Sequence, residues 1–398
     1  MLLKFCLLIG LAALTAGIAS AADQPPAPPA QTKQAASPAT PPQPQMTPEE
    51  KRDADIGKSA AEELEKQFKV VTDSPALPRL TALVDKIGSV TQKPRQTYHI
   101  KVVDDKAINA FSLPGGYLYF AQGLIDAVES DDELAAVAGH EMAHVCLSHS
   151  RKLMGRDQRY QTILGSIVLA SVLSNSEGVN PGAVAAVGSM VAQDALNHYG
   201  REAEMEADHQ AVLYLKASAK YNPVAVLTVV EGLARMESSE GNPDLGVYKT
   251  HPYGKERVEA VTKDLEELGI PIERRRVIRS LVAEAIAVTK GDKEIGELRL
   301  NGRTVFQPAV ALDGASPIAR AQQSADLLNK LLLENLQLLE ISAAEQDGST
   351  QVLARNQILF TVTPEDAAFH QTEVKALADK GVEAIRLGFS EERVRRAY

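Results

Sequence analysis

Basic surplus, cysteine and long apolar runs are scarce in this sequence, and each shortage removes a class of answer. Among 398 residues, 52 Asp and Glu outnumber 42 Lys and Arg, for a formal net charge of −10. General binding to nucleic acid or to an anionic membrane surface needs the opposite balance, so no nucleic-acid partner is expected. Of the two cysteines, Cys6 belongs to an N-terminal leader, which leaves Cys146 alone and excludes an internal disulfide. Beyond the leader, the longest apolar segments, 163–173 and 183–196, are shorter than the roughly 20 residues a spanning helix needs. They read as a buried helical hairpin, with a lid or membrane-dipping element as the alternative, so peripheral membrane contact stays open. Tryptophan is absent, yet 44% of the residues are hydrophobic, enough for two or three domains with real cores.

The leader itself has one early charge at Lys4, an apolar stretch to about Leu14 and the small residues Ala19-Ser20-Ala21. That pattern predicts a secretory signal peptide over 1–21, with a retained anchor as the alternative, and therefore an exported protein. Residues 22–46 are proline, alanine and glutamine with almost nothing large and apolar, and read as a disordered linker. Thr47-Pro48-Glu49-Glu50 then has the form of a helix start. Residues 47–275 read as one mainly helical domain. After it, over 276–398, three strand-like segments (SLVAEAIAVT, ELRLNGRTVFQPAV, QVLARNQILFTVT) alternate with two helical ones. The order predicts a small α/β domain of unknown role, without internal repeats.

The chemistry sits in LAAVAGHEMAHVCLSHS. His140 and His144 are four apart, so on a helix both imidazoles share one face and can ligate one ion, while Glu141 at the edge of that face can act as general base. Neutral imidazoles suit zinc, and the flanks, Ala135 to Gly139 with Ala143 and Val145, are small and apolar. A carboxylate buried there without a partner costs several kcal/mol, on the order of the uncompensated-charge penalty. A catalytic zinc needs a third protein ligand. His149, five residues past His144, falls about 140° round a continuous helix and reads as a structural, helix-end histidine. The acidic run Arg201 to Asp208 is the better source. Glu204 and Asp208 share a face, suiting a ligand and a carboxylate that orients a ligand histidine, with Glu202 and Glu206 as local competitors.

Taken together, these blocks resemble the HtpX-like and CAAX-prenyl-protease-like zinc metallopeptidases, in particular their soluble exported BepA-like and LoiP-like branch. The matching blocks are NAFSLPGGYLYFAQGLI, AGHEMAHV, the E-x-x-A-D pattern Glu204 to Asp208, and Thr250-His251-Pro252 with Arg257. The resemblance implies a zincin-type α+β domain with a short edge sheet. It implies one zinc per chain, held by His140, His144 and Glu204 with Asp208 in support. His251 is implied near the zinc, either as a fourth ligand of a resting state or as polariser of the substrate carbonyl. Arg257 is implied as holding that segment or the oxyanion. Zincin folds bind extended peptides along an edge strand, so Asn109, Gly116 and Tyr117 are expected to build that edge. The implied function is a periplasmic endopeptidase acting on misfolded or unassembled envelope proteins. The alternative is a chaperone-like binding protein with a mostly closed zinc site. One departure stands out: the branch usually ends in helical repeats, and here an α/β segment takes their place.

Overall fold

The computed structural model describes residues 46–156, 199–238, 251 and 254–396. The expected leader and most of the linker, the apolar segments 163–173 and 183–196, and Thr250 and Pro252 lie outside the described residues. No helix among the described residues is long and apolar enough to cross a membrane.

Helix α1 (Pro48–Leu64) begins as its sequence dictates. Thr47 Oγ1 accepts the Glu50 amide at 3.2 Å, and the Glu50 carboxylate accepts the Thr47 amide at 2.8 Å. Helix α2 (Leu77–Gly88) buries Leu80, Leu83, Val84 and Ile87, the stripe its spacing predicts. A three-stranded sheet follows, with β1 (His99–Val103), β2 (Ala110–Leu113) and β3 (Tyr117–Ala121) in the order β1-β3-β2. Strand β3 runs parallel to β1 and antiparallel to β2, which leaves β2 at an edge. The turn Pro114–Gly116 joins β2 to β3 through positive φ at Gly115 (76°) and Gly116 (93°).

After the short α3 (Gln122–Ala127), Ser130 caps α4 (Asp131–Cys146) by accepting the Glu133 amide at 3.2 Å, and Asp131, Asp132 and Glu133 lie at its positive end. From Glu133 to Cys146 only Val137 is less than fully buried. A helix buried on all sides needs neighbours at close range, and its small residues permit that. A Cβ added at Gly139 would stand 3.2 Å from Leu215 Cδ1, so α6 (Arg201–Ser218) lies directly against α4. Glu204, Asp208, Ala211 and Leu215, spaced about a turn apart, all end up buried. Between these helices, Ser148 adopts φ 55°, ending α4 and starting α5 (His149–Arg156) in a new direction. Helices α7 (Val224–Ser238) and α8 (Gly254–Glu267) close the same core.

Beyond Arg276 a second core forms around Leu298, Phe306, Leu328, Val352, Phe360 and Ile385. Where the sequence suggests three strands, six are present: β4 (Ala283–Lys290), β5 (Lys293–Leu300), β6 (Arg303–Phe306), β7 (Ile341–Gln346), β8 (Ser349–Ala354) and β9 (Gln357–Val362). Two of the expected single strands are each folded in half. They bend at Asn301-Gly302 (φ 48° and 77°) and Arg355-Asn356 (48° and 61°), the positive-φ pairs of tight hairpin turns. β7 escapes a period-two reading because all but its first residue are exposed. The strands form two antiparallel three-stranded meanders, the first followed by α9 (Pro317–Leu333), the second by α10 (Pro364–Phe369) and α11 (Val374–Arg396). The halves share a plan that the sequence conceals: Leu298 faces Phe306 across one meander and Val352 faces Phe360 across the other, and the two Phe rings stack at 4.7 Å.

Asp366 organises this second core. Its buried carboxylate accepts the Ala309 amide at 2.7 Å and Arg320 Nη2 at 2.8 Å. Burial works against its charge, but Arg320 and the backbone amides prevail and hold the carboxyl below its ordinary range. A depressed folded pKa gives stability that is complete above the unfolded value, about 3.9, and lost as pH falls through the folded one. We therefore expect Asp366→Asn to cost about 3 kcal/mol at pH 7, where it leaves Arg320 buried and unpaired. The gap from wild type should begin to narrow below about pH 4 and close as pH falls through the lower folded value, as urea unfolding across that range will read.

Candidate metal centre

Four side chains from three stretches of chain meet beside α4. His140 and His144 stand one turn apart with their Nε2 atoms 3.0 Å from each other and their rings at 76°. Glu204 of α6 puts Oε2 3.4 Å from His140 Nε2 and Oε1 3.6 Å from His144 Nε2. His251, just ahead of α8, brings Nδ1 to 3.0 Å from Glu204 Oε2 and 3.3 Å from His140 Nε2. One atom from each lies within 4.8 Å of all the others, and all four residues are buried. Ligands about 2.0–2.1 Å from a tetrahedral ion stand roughly 3.3 Å apart, which is the spacing seen here.

Two orphaned oxygens test whether a cation fits. Glu204 Oε1 and Glu141 Oε2 are buried with no hydrogen-bond partner. Burial alone raises the pKa of Glu204, yet His251 and Arg257 overcome it and hold the carboxyl well below its usual range, so it is an anion. Burial, then the neighbouring His140, push His144 well below the ordinary imidazole value, leaving the neutral, ligating form. His140 goes the other way: burial opposes its charge, but hydrogen bonds to Asp208 and Glu204 raise it to about 10, so a metal ion would have to displace the Nε2 proton before that ring could ligate. Two imidazoles and a carboxylate with a bare, buried lone pair are the donor set of a divalent transition-metal site.

Around them a second ring of contacts fixes orientation. Asp208 Oδ1 lies 2.9 Å from His140 Nδ1, which turns Nε2 of that ring toward the cluster. Arg257 grips Asp208 with two donors, Nε to Oδ2 at 2.7 Å and Nη2 to Oδ1 at 2.8 Å. Its Nη1 donates to the His251 carbonyl at 3.2 Å and sits 3.0 Å from Glu204 Oε2. Each guanidinium nitrogen of Arg257 thus has a partner within the site, among them the carbonyl of His251 itself. Glu202 is exposed, and Glu206 turns away toward His149 and Lys152, so neither local competitor enters the cluster.

The expected substrate edge is rearranged. Tyr117 lies in β3, the central strand, paired on both sides, and Gly116 is buried in the turn against Gln96 and Thr97. Asn109 directly precedes β2 and its carbonyl accepts the Ala121 amide at 3.0 Å. The outer strand on this side is β2, buried along its whole length, and its Ala110 carbonyl stands 3.3 Å from His251 Nε2. Sequence reasoning also missed Tyr199, which stacks on His144 at 4.1 Å and 16°; nothing in its neighbourhood signals that contact. Beside Glu141 opens a cavity of about 260 Å³ walled by Ile108, Leu124, Val128, Val137, Val229 and Leu233.

A helix-borne imidazole pair, a carboxylate from a second helix and a glutamate with one bare oxygen beside the pair are the arrangement a metal-dependent hydrolase centre needs. Comparison with known proteins narrows the class. Residues 77–265 match peptidase family M48, and residues 297–392 match a domain of unknown function, DUF8459. The chain is 32% identical over 162 residues to the mitochondrial metalloendopeptidase OMA1 of Arabidopsis thaliana, covering 40% of this chain and 30% of that protein. It is 26% identical over 217 residues to the metalloprotease LoiP of Escherichia coli (strain K12), covering 54% and 81%. With the beta-barrel assembly-enhancing protease of the same organism it shares 25% identity over 186 residues, covering 46% and 38%. The chain thus spans under two thirds of the length of most of these relatives. Residues 77–265 are similar to peptidase family M48 over a little under half of the chain, and the cluster of His140, His144, Glu204 and His251, which could hold a metal ion, lies within that span.

Proposed function

We propose that this chain is a zinc-dependent endopeptidase of the bacterial cell envelope, with His140, His144 and Glu204 as ligands and Glu141 as general base. The observation that carries the reading is the pair of bare carboxylate oxygens, on Glu204 and Glu141, buried beside two imidazole nitrogens. A bound zinc ion supplies Lewis acidity to a peptide carbonyl and makes nearby water a stronger acid. Glu141 then takes the proton of the attacking water and delivers it to the leaving amine. An extended polypeptide would line up along β2, the outer strand beside the site, and place one side chain in the apolar cavity. The N-terminal pattern supports export to the periplasm, and misfolded or unassembled envelope proteins are the proposed substrates.

A second reading, a binding protein with a closed site, has one observation in its favour. His251 sits inside the ligand cluster and within 3.4 Å of Glu141 Oε1, where a substrate carbonyl would have to enter. Cleavage of an unfolded protein such as casein, with and without chelator, separates the two. We expect His251→Ala to cleave several-fold faster than wild type if the histidine closes the site. A variant no faster than wild type removes the gating role, and the absence of chelator-sensitive cleavage in every form removes the peptidase reading.

A further inference from the structure

His144 is held from behind by a chain of groups that reaches the surface. Its Nδ1 stands 2.8 Å from His149 Nδ1, and His149 Nε2 stands 3.2 Å from Glu206 Oε2, to which Lys152 also reaches at 3.3 Å. His149 is 2% exposed, whereas the Glu206 side chain is 46% exposed. The tautomers follow from the bonding. If His144 gives Nε2 to a metal, its neutral ring carries its proton on Nδ1 and donates it to His149 Nδ1. His149 must then carry its own proton on Nε2 and donate it to Glu206. The two ligand histidines are therefore oriented by different devices, His140 by a carboxylate directly and His144 through an intervening imidazole.

The break at Ser148 makes this contact. On a continuous helix His149 would point about 140° away from His144. The left-handed Ser148, φ 55°, turns the chain so that the two rings lie edge to face at 4.9 Å.

We propose that His149 is a positioning residue of the metal centre, fixing the tautomer and orientation of His144, with Glu206 as its surface anchor. The inference rests on the metal reading above and adds to it a determinant of affinity outside the ligand set. Removing an outer partner of a ligating histidine typically weakens metal binding about 10–100-fold. Asn at this position places an amide oxygen near where Nδ1 stands and can still accept the His144 proton.

The test is zinc affinity of the full chain, by competition with a chromophoric chelator, for wild type, His149→Ala, His149→Asn and Glu206→Gln. Thermal melting of each metal-free form accompanies it. We expect His149→Ala to bind about 10–100-fold more weakly, His149→Asn to recover most of that loss, and Glu206→Gln to lose less than His149→Ala. Wild-type affinity in His149→Ala would overturn the proposal. So would equal weakening in the Ala and Asn variants together with equal lowering of their metal-free melting temperatures, because that marks a packing role. Failure of wild type itself to bind zinc would instead strike the metal reading, a distinct result.

Discussion

Glu141→Gln should leave the protein folded and metal-loaded while its peptidase activity falls by about 10²–10⁴-fold, the range for loss of a general base. The side chain lies on the buried face of α4 and is 1% exposed, so an isosteric amide keeps its shape and packing. What changes is proton affinity: an amide oxygen takes no proton from water at neutral pH. The site offers no ready substitute. His251 is the nearest other base, 3.4 Å from Glu141 Oε1, but its Nδ1 is already engaged by Glu204 and its Nε2 by the Ala110 carbonyl. Because Glu141 Oε2 has no hydrogen-bond donor, the amide breaks no hydrogen bond at that atom, and the metal-free variant should unfold no more easily than wild type. Single-turnover cleavage and urea unfolding measured side by side check both halves. A variant that keeps a tenth or more of wild-type activity would mean another group moves the proton.

The second large effect is on stability. Arg257 is 2% exposed and binds Asp208 twice, Glu204 once and the His251 carbonyl once. Arg257→Ala leaves two buried carboxylates without their cation, a change that costs about 3–5 kcal/mol in buried pairs, a large share of the roughly 5–15 kcal/mol that holds a domain together. Arg257→Lys should recover little, since one ammonium cannot reproduce a planar fork across Asp208, Glu204 and a carbonyl. Urea unfolding of the metal-free proteins reads this, with metal affinity expected to fall in parallel because Asp208 no longer holds His140 in place. A loss under 1 kcal/mol, within the range of exposed ion pairs, would mean the network adds little.

Much of this site can be read from residue spacing. His140, His144 and Glu141 stand out through helical period and an apolar setting; on the second helix spacing offers the i, i+4 pair Glu204 and Asp208 with Glu202 and Glu206 as competitors, and the family resemblance is what singles out Glu204. The capped start of α1 and the apolar stripe of α2 are equally plain. Where a reading fails, one backbone residue usually explains it. The 140° separation of His149 from His144 assumes an unbroken helix, and Ser148 at φ 55° breaks it. The missed strands turn on Asn301-Gly302 and Arg355-Asn356, two-residue turns inside what read as continuous strands. The expected edge segment, Asn109 to Phe120, divides into the outer strand β2 and the central strand β3. Which of three strands lies outermost depends on β1 returning to pair with β3, a long-range choice that local spacing does not encode.

In the proposed site two histidines one helical turn apart and Glu204, sixty residues beyond His144, hold one zinc ion. Metal analysis of purified wild type and Glu204→Ala tests this most directly, because Glu204 is the ligand that lies outside the H-E-x-x-H motif. The account predicts one zinc per wild-type chain and substoichiometric, readily stripped zinc in the variant, with His140 and His144 still in place. One zinc per chain at undiminished affinity in Glu204→Ala would contradict it.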